Sequence, residues 1–283
     1  VERIRAHGPL TFAQYMEAAL FDPDSGFYTR GPGIGQGGHF ATAAMAHPAF
    51  AAAIVAEAEA TWEGLGRPKQ FRVTEAGPGT GGLARRVSEG LAERGVTHEL
   101  VLIELSPGLE ARQRETLAGI EARWVEHPAE LKPASGFLYA NEVLDALPVR
   151  LLQWPDEVVV DADASGRLVE ALQQAEPAIA RLLTAQVEPR AGARYAVRPS
   201  MLPLVASLVG SVRRGRVALI DYGGVGAEVH DGRRPPVRTY IGGQQGGDPL
   251  QAPGTQDLTA DVDFGALSDA AKAVGVEVEA LLT

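Results

Sequence analysis

Three polar side chains that could bind a cation follow one apolar run of the chain. Asn141, Glu142 and Asp145 stand in "FLYANEVLDALPVR", directly after a segment typical of a buried strand. Carboxylates three residues apart would share one face of a helical turn. Such a pair suits a guanidinium, whose planar fork matches carboxylates in bidentate hydrogen bonds. A helix start with Asn141 as its N-cap, and the acids near the positive end of the helix dipole, explains the same residues. The residues alone leave both interpretations open.

A second candidate site is the glycine-rich turn in "VTEAGPGTGGLARRV". Gly77, Gly79 and Gly82 satisfy the G-x-G-x-x-G pattern of dinucleotide-binding proteins. Gly77, Gly79 and Gly81 equally satisfy G-x-G-x-G, a pattern common in enzymes that use S-adenosylmethionine (SAM). Both patterns place a tight turn at the carboxyl end of a strand, where doubly wound sheets bind ligands. A strand-to-helix turn without any ligand needs the same glycines, so the pattern does not decide by itself.

Acidic residues around this turn favour SAM over a nicotinamide dinucleotide. Glu104 ends the next predicted strand, close to the spacing of about 20 residues expected for a carboxylate that binds ribose hydroxyls and repels a 2′-phosphate. Pro78 removes a backbone N–H that a pyrophosphate would use. Glu75, just before the turn, is placed to help hold the ammonium group of SAM. This comparison favours SAM without excluding NAD.

Alternating strands and helices would bring these groups to one edge of a sheet. Helix signals include Thr11 and Gln14 at capping-box spacing, and Ser106 as an N-cap followed by Pro107. The alternation predicts an α/β protein with a mostly parallel, doubly wound sheet. The predicted strands lie in "FRVTEAG", "HELVLIEL", "ARWVEH", "GFLYANEV" and "GRVALIDYG".

The chain divides into three predicted regions around this core. Residues 1–66 form an N-terminal helical and lid region, and residues 151–214 form an inserted α+β segment on the substrate side. Residues 67–150 and 215–283 form the core. The insertion contains "EVVVDADASGRLVEAL", which predicts a β-hairpin that turns at "ASG", and it is longer than an ordinary crossover.

Composition excludes several classes of protein. The 283 residues carry a formal net charge of −10, which argues against a general nucleic-acid binder. Cysteine is absent, so disulfides and cysteine metal sites are excluded. No apolar run reaches transmembrane length, and no apolar signal core begins the chain. We therefore expect a cytoplasmic protein that binds neither membranes nor nucleic acid. The oligomeric state stays open, with a homodimer as one alternative.

The histidines predict no metal site, because none of them shows metal-ligand spacing. They are scattered along the chain, as His39, His47, His127 and His230 illustrate.

The motifs, taken in order, resemble those of the MidA family of methyltransferases. The resemblance spans the chain from Leu10 to Phe264, and "ANEVLDALP" and "TQDLTADVDF" are its most specific motifs. The segments that carry it are "YMEAALFDPDSGFYT", "EAGPGTG", "IELSPGLEARQ", "ANEVLDALPVR", "IDYG" and "GTQDLTADVDF".

The resemblance implies a SAM-dependent methyltransferase with a Rossmann-like core. The mitochondrial member of the family is a protein arginine methyltransferase that acts on a respiratory complex subunit, so a protein substrate and an arginine acceptor are implied here. The implied cofactor-binding residues are Glu75, Gly77, Pro78, Gly79, Gly81, Glu104, Ser106, Gln113 and Asn141. The implied catalytic residues are Asn141, Glu142 and Asp145.

Departures from the family pattern favour one of two alternative functions. His39 stands where the family usually carries aspartate, Ala44 and Met45 lack an expected acid, and Thr80 replaces a frequent arginine. These changes favour, as an alternative, an assembly factor that binds SAM without catalysis. An NAD-linked oxidoreductase is the less favoured alternative. The family's glycine-loop motif falls on Gly38, His39, Phe40 and Thr42, and we expect "RGPGIGQGGHF" to close over SAM as a lid.

Overall fold

The computed structural model describes residues 1–29, 48–231, 235–273 and 275–281. The predicted lid and the departures at His39, Ala44 and Met45 lie outside the described residues, as does His47. The described helices are α1 (Glu2–His7), α2 (Phe12–Phe21), α3 (Pro48–Gly64), α4 (Gly82–Glu93), α5 (Pro107–Thr116), α6 (Pro177–Thr184), α7 (Met201–Gly210) and α8 (Phe264–Ala273).

The strands are β1 (Leu10–Thr11), β2 (Arg72–Ala76), β3 (Glu99–Ile103), β4 (Ala122–Val125), β5 (Ala134–Asn141), β6 (Arg150–Gln153), β7 (Asp156–Ala162), β8 (Leu168–Gln174), β9 (Arg194–Val197), β10 (Val212–Ile220), β11 (Gly223–Gly224), β12 (Arg238–Ile241), β13 (Gln244–Gln245), β14 (Asp257–Thr259) and β15 (Val262–Asp263).

The chain forms two compact units that differ from the predicted regions. One comprises residues 1–27, 144–203 and 222–283, and the other comprises residues 28–143 and 204–221. The segment after residue 221 was predicted as part of the core, whereas its contacts group it with the first unit. Arg198 illustrates the reason, because its guanidinium donates to the carbonyl oxygens of Asp145, Ala260 and Asp261.

The second unit is built on a five-stranded sheet in the order β10-β5-β2-β3-β4, in which every pair of neighbours is parallel. Alternate residues of each strand face opposite sides. Phe137 and Tyr139 of β5 pack in a cluster with residues of α3 and α4, whereas Leu138 and Ala140 pack in another with Leu208 of α7. The sheet is therefore covered on both faces, which confirms the predicted α/β, Rossmann-like core.

Two helix starts in this unit come from local signals. Ser106 accepts a hydrogen bond from the backbone N–H of Leu109 at 3.3 Å, and Pro107 is the first residue of α5, both as predicted. Gly81 precedes α4 in a left-handed conformation with φ of 80°. A side chain is disfavoured in that conformation, which explains a glycine at this position.

The first unit contains a second five-stranded sheet in which β1, β7, β6 and β9 follow one another and β8 pairs with β7. The antiparallel pairing of β7 with β8 confirms the predicted hairpin, whose turn is held by Asp163 through the backbone N–H groups of Ser165 and Arg167. The predicted capping box of α2 is present between Thr11 and Gln14. In the part of the chain that the structure describes, no helix combines the length and apolarity needed to span a membrane.

Candidate active site

The carboxyl ends of the parallel strands of the second unit meet at one edge of its sheet. The residues just beyond β2, β3, β5 and β10 are Gly77, Glu104, Glu142 and Asp221. Strand order places β5 and β3 on either side of β2, so the glycine turn lies between the other two strand ends. This edge is where doubly wound sheets bind ligands.

The glycine turn has the backbone that its sequence predicts. Gly77, Gly79 and Gly81 have φ values of 64°, 54° and 80°, which are unfavourable for residues with side chains. The Gly81 N–H donates to the carbonyl of Pro78 at 2.8 Å, and the Gly77 N–H donates to that of Ile103 at 3.0 Å. The turn is therefore closed on itself and bonded to the end of β3.

Two glycines of the turn are also packed against neighbouring side chains. A Cβ atom on Gly77 would lie 2.6 Å from Cγ2 of Val143, and one on Gly81 would lie 3.4 Å from Gln113. The Gln113 amide also donates to the carbonyl of Gly79 at 2.8 Å. Gln113, predicted as a cofactor-binding residue, thus contacts the turn itself.

Glu75 is buried behind the glycine turn, with 3% of its surface exposed. Tyr139 donates its hydroxyl to Glu75 Oε2 at 3.0 Å, and the backbone N–H of Ala84 in the first turn of α4 also donates to the carboxylate. Burial raises the pKa of Glu75 to about 8, although these two hydrogen bonds oppose the shift. These contacts tie α4 to β5. The expected contact of Glu75 with the SAM ammonium group stays a prediction.

Burial of Glu75 predicts that stability falls as pH rises from about 4.5 to about 8. In this window the unfolded chain has released the proton and the folded chain has kept it, so the free energy of unfolding decreases with pH by up to about 1.4 kcal/mol per unit. Glu75→Gln should remove that part of the slope, measured by urea unfolding at several pH values. Glu93→Gln, at the exposed end of α4, is the charge-matched control. Equal slopes in the parent and Glu75→Gln would contradict this prediction.

Glu104 is held at the end of β3 by bonds to both of its oxygens. The backbone N–H of Ser106 donates to Oε1 at 2.8 Å, and the Gln113 amide donates to Oε2 at 2.7 Å. Burial raises the pKa of this carboxyl group, although these two hydrogen bonds oppose the shift. Each carboxylate oxygen can accept a second bond, so Glu104 keeps the capacity to bind ribose hydroxyls. The indole N–H of Trp124 fixes the other end of the amide through Gln113 Oε1 at 2.9 Å.

The turn after β5 corrects one structural prediction. Asn141 is the last residue of β5, and no α-helix follows between residues 142 and 147. Glu142 has φ of 53°, which lies outside the helical region. Its N–H donates to the carbonyl of Ile220, and the Val143 N–H donates to Asp221 Oδ2. Bonds to the end of β10 replace a helical turn, so both the shared helical face and the N-cap role of Asn141 were wrong.

The three predicted catalytic residues fall in different units. Asn141 and Glu142 lie in the second unit, where the Asn141 amide is 3.5 Å from Glu142 Oε1. Asp145 lies in the first unit and is buried, and its carbonyl oxygen accepts from the backbone N–H of Ala260 at 3.0 Å. The catalytic roles of all three stay predictions.

Three residues that support the site were not predicted from the sequence. Tyr139 bonds Glu75, Trp124 orients Gln113, and Asp221 holds the turn after β5. Asp221 stands in the quoted motif "IDYG", and the position of that motif at a strand end was the available signal. Among the described residues, no group of three or more histidine or acidic side chains is arranged to hold a metal ion.

Curated proteins similar to this chain are named as protein arginine methyltransferases. "Protein arginine methyltransferase NDUFAF7, mitochondrial" of Danio rerio is 27% identical over 93% of this chain and 68% of its own length. The Drosophila melanogaster homologue with the corresponding name is 28% identical over 93% of this chain and 66% of its own length. This chain thus spans about two thirds of these relatives.

The cytoplasmic location expected from composition was wrong, because these relatives are named as mitochondrial proteins. Neither the absence of cysteine nor the absence of long apolar runs is specific to one cellular compartment. Composition therefore could not distinguish between them.

A solved structure and a protein-family model also match this chain. A crystal structure from Burkholderia thailandensis, of a protein bound to S-adenosyl-homocysteine, is 31% identical with a TM-score of 0.84, and the match covers 97% of this chain and 74% of that one. Residues 53–281 match the family described as "Putative S-adenosyl-L-methionine-dependent methyltransferase". With that match over most of its length and with the Rossmann-like sheet described above, this chain belongs to this family of SAM-dependent methyltransferases.

Proposed function

We propose that this chain transfers a methyl group from SAM to a guanidinium nitrogen of arginine in a protein substrate. The observation that carries the proposal is that an acidic residue follows the strand next to the glycine turn, and that its neighbour in the chain packs on that turn. Glu142 follows β5, the strand next to β2, and Val143 packs against Gly77. The names of the relatives supply the choice of arginine as the acceptor.

The residues of the second unit fit the chemistry of SAM. The left-handed turn from Gly77 to Gly81 allows close approach of a ligand to the backbone, and Glu104 can accept from ribose hydroxyls. Ser106 and Gln113 hold Glu104 through the hydrogen bonds described above. A carboxylate at this position disfavours a 2′-phosphate. We propose these residues as the cofactor site.

Glu142 would act on the acceptor. Bound SAM supplies a methyl group on a sulfonium, and attack by the acceptor nitrogen forms the N–C bond while the S–C bond breaks with its electron pair kept by sulfur. A neighbouring carboxylate can orient a guanidinium through its N–H groups and accept the proton that the attacking nitrogen releases. Glu142 is proposed for both tasks because it is an acid at the strand end beside the turn. Asp145 stays a predicted participant by its place in the motif.

To test the proposal, the purified protein is incubated with methyl-labelled SAM and an extract of proteins. The proteins are then hydrolysed, and the labelled amino acid is identified. Labelled methylarginine is the expected product. Label on another residue would replace arginine as the acceptor. Calorimetric binding of S-adenosylhomocysteine without transfer would favour the binding-only alternative, and a thermal shift with NAD but not with SAM would favour the oxidoreductase.

Glu104→Ala is expected to weaken S-adenosylhomocysteine binding by about 1–3 kcal/mol, the range for hydrogen bonds to a charged group. The loss corresponds to about fivefold to about 150-fold in the dissociation constant, measured by calorimetry. Glu115→Ala removes the same charge from an exposed position of α5 and should leave the affinity unchanged. Parent-like binding by Glu104→Ala would remove Glu104 from the cofactor site.

A further inference from the structure

The turn after β5 carries a backbone conformation that its residue type does not favour. Glu142 has φ of 53°, and among the described residues only two other non-glycine residues, Arg67 and Ala252, have positive φ. Neither of those two follows a strand of the parallel sheet. A left-handed non-glycine residue persists only where surrounding contacts impose it, and such residues cluster at functional sites.

Two hydrogen bonds join this turn to the end of β10. The parallel ladder pairs Asn141 with Ile220, and the Glu142 N–H continues it by donating to the Ile220 carbonyl at 2.9 Å. The next N–H, that of Val143, donates instead to the Asp221 side chain, with Oδ2 at 3.1 Å. The backbone ladder thus ends at Glu142, and a carboxylate accepts the following N–H.

Val143 connects this turn to the glycine turn. A Cβ on Gly77 would come within 2.6 Å of Val143 Cγ2, so the valine side chain occupies the space that the glycine leaves. Valine is stiff at its first side-chain torsion, so the position of its methyl group follows the backbone. A shift of the Val143 backbone would therefore move the contact with the glycine turn.

We propose that Asp221 is a positioning residue that keeps Glu142 in its left-handed conformation and Val143 packed on Gly77. Asp221 thereby sets the position of the Glu142 carboxylate relative to the glycine turn. Asp221 acts through the Val143 N–H rather than on the substrate. This inference rests on the proposed function, because it assigns Asp221 to the same methyl-transfer site.

Asp221→Ala removes the acceptor and should weaken S-adenosylhomocysteine binding about tenfold, as expected when a half-buried N–H loses its partner. Asp221→Asn keeps a side-chain carbonyl that can accept the same N–H, so its affinity should stay within about threefold of the parent. Affinity in Asp221→Asn as weak as in Asp221→Ala would overturn the proposal, because charge rather than the bond would then matter.

A second variant background, Glu142→Gly, distinguishes an indirect positioning role of Asp221 from a direct contact between Asp221 and the ligand. Glycine adopts positive φ without strain, so in a Glu142→Gly background the turn no longer depends on the bond to Asp221. There, Asp221→Ala should change the affinity less than about twofold. An equal tenfold loss in both backgrounds would overturn the proposal. If Asp221→Ala alone does not fold, recovery of folding in the double variant supports the inference and failure of both variants contradicts it.

The same variants distinguish this inference from the proposed function. A parent that binds no S-adenosylhomocysteine would reject the proposed function. Urea unfolding would still measure the coupling between positions 142 and 221. Additive effects of the two substitutions on the free energy of unfolding would reject the role of Asp221 in the turn, whether or not the proposed function holds.

Discussion

The Glu142→Gln variant is expected to bind S-adenosylhomocysteine like the parent and to transfer methyl groups to protein arginine about a hundredfold more slowly. The amide keeps the size of the side chain but loses the charge that orients a guanidinium and accepts its proton. Displacement of the attacking atom by about 1 Å can slow a reaction by roughly a hundredfold. Transfer is measured with labelled SAM, and binding is measured by calorimetry on the same preparations.

The control for this variant is Glu126→Gln. It removes the same charge just after β4, the edge strand that is separated from β5 by β2 and β3. It should transfer methyl groups like the parent. Normal transfer by Glu142→Gln would restrict Glu142 to a structural role in the turn. A loss of S-adenosylhomocysteine affinity would instead place Glu142 on the cofactor side of the site.

The Gly79→Val variant is expected to lose S-adenosylhomocysteine binding altogether while the sheet stays folded. Gly79 has φ of 54°, and its carbonyl accepts from Gln113, which in turn bonds Glu104. A β-branched side chain disfavours this conformation. It would also occupy the space next to the Gly79 backbone where we expect the ligand to bind. Calorimetry measures the loss, and circular dichroism checks the fold.

Gly95→Val is the matched control, because Gly95 has φ of 73° and a Cβ there would meet no atom within 4 Å. It should lower the melting temperature by introducing similar backbone strain, yet leave the affinity unchanged. Unchanged affinity in folded Gly79→Val would show that the glycine turn does not approach the ligand.

Much of the second unit could be predicted from the sequence because its signals are local. The apolar runs of β2, β3 and β5 and the cap at Ser106 depend on residues close to one another in the chain, and the structure contains all of them. The left-handed glycines follow from the same kind of signal, since a turn between a strand and a helix requires particular backbone angles.

The turn after β5 could not be predicted in this way. A spacing of three between Glu142 and Asp145 favours a helical face, but the observed conformation depends on Ile220 and Asp221. Those residues stand 78 positions beyond the atoms they bond, and only the pairing of β10 with β5 brings them together.

The sequence by itself determined the parallel strands of the second unit, the α/β class and the places of Gly77, Glu104 and Glu142 at the carboxyl edge of the sheet, because strand and helix signals act over a few residues. The tertiary structure decided which strand ends are neighbours and which hydrogen bonds hold them in place. The Tyr139 bond to Glu75, the bond of Asp221 to Val143 and the grouping of residues 222–283 with the first unit all join distant parts of the chain. Such contacts depend on strand order, and strand order is a property of the packed sheet rather than of any single segment.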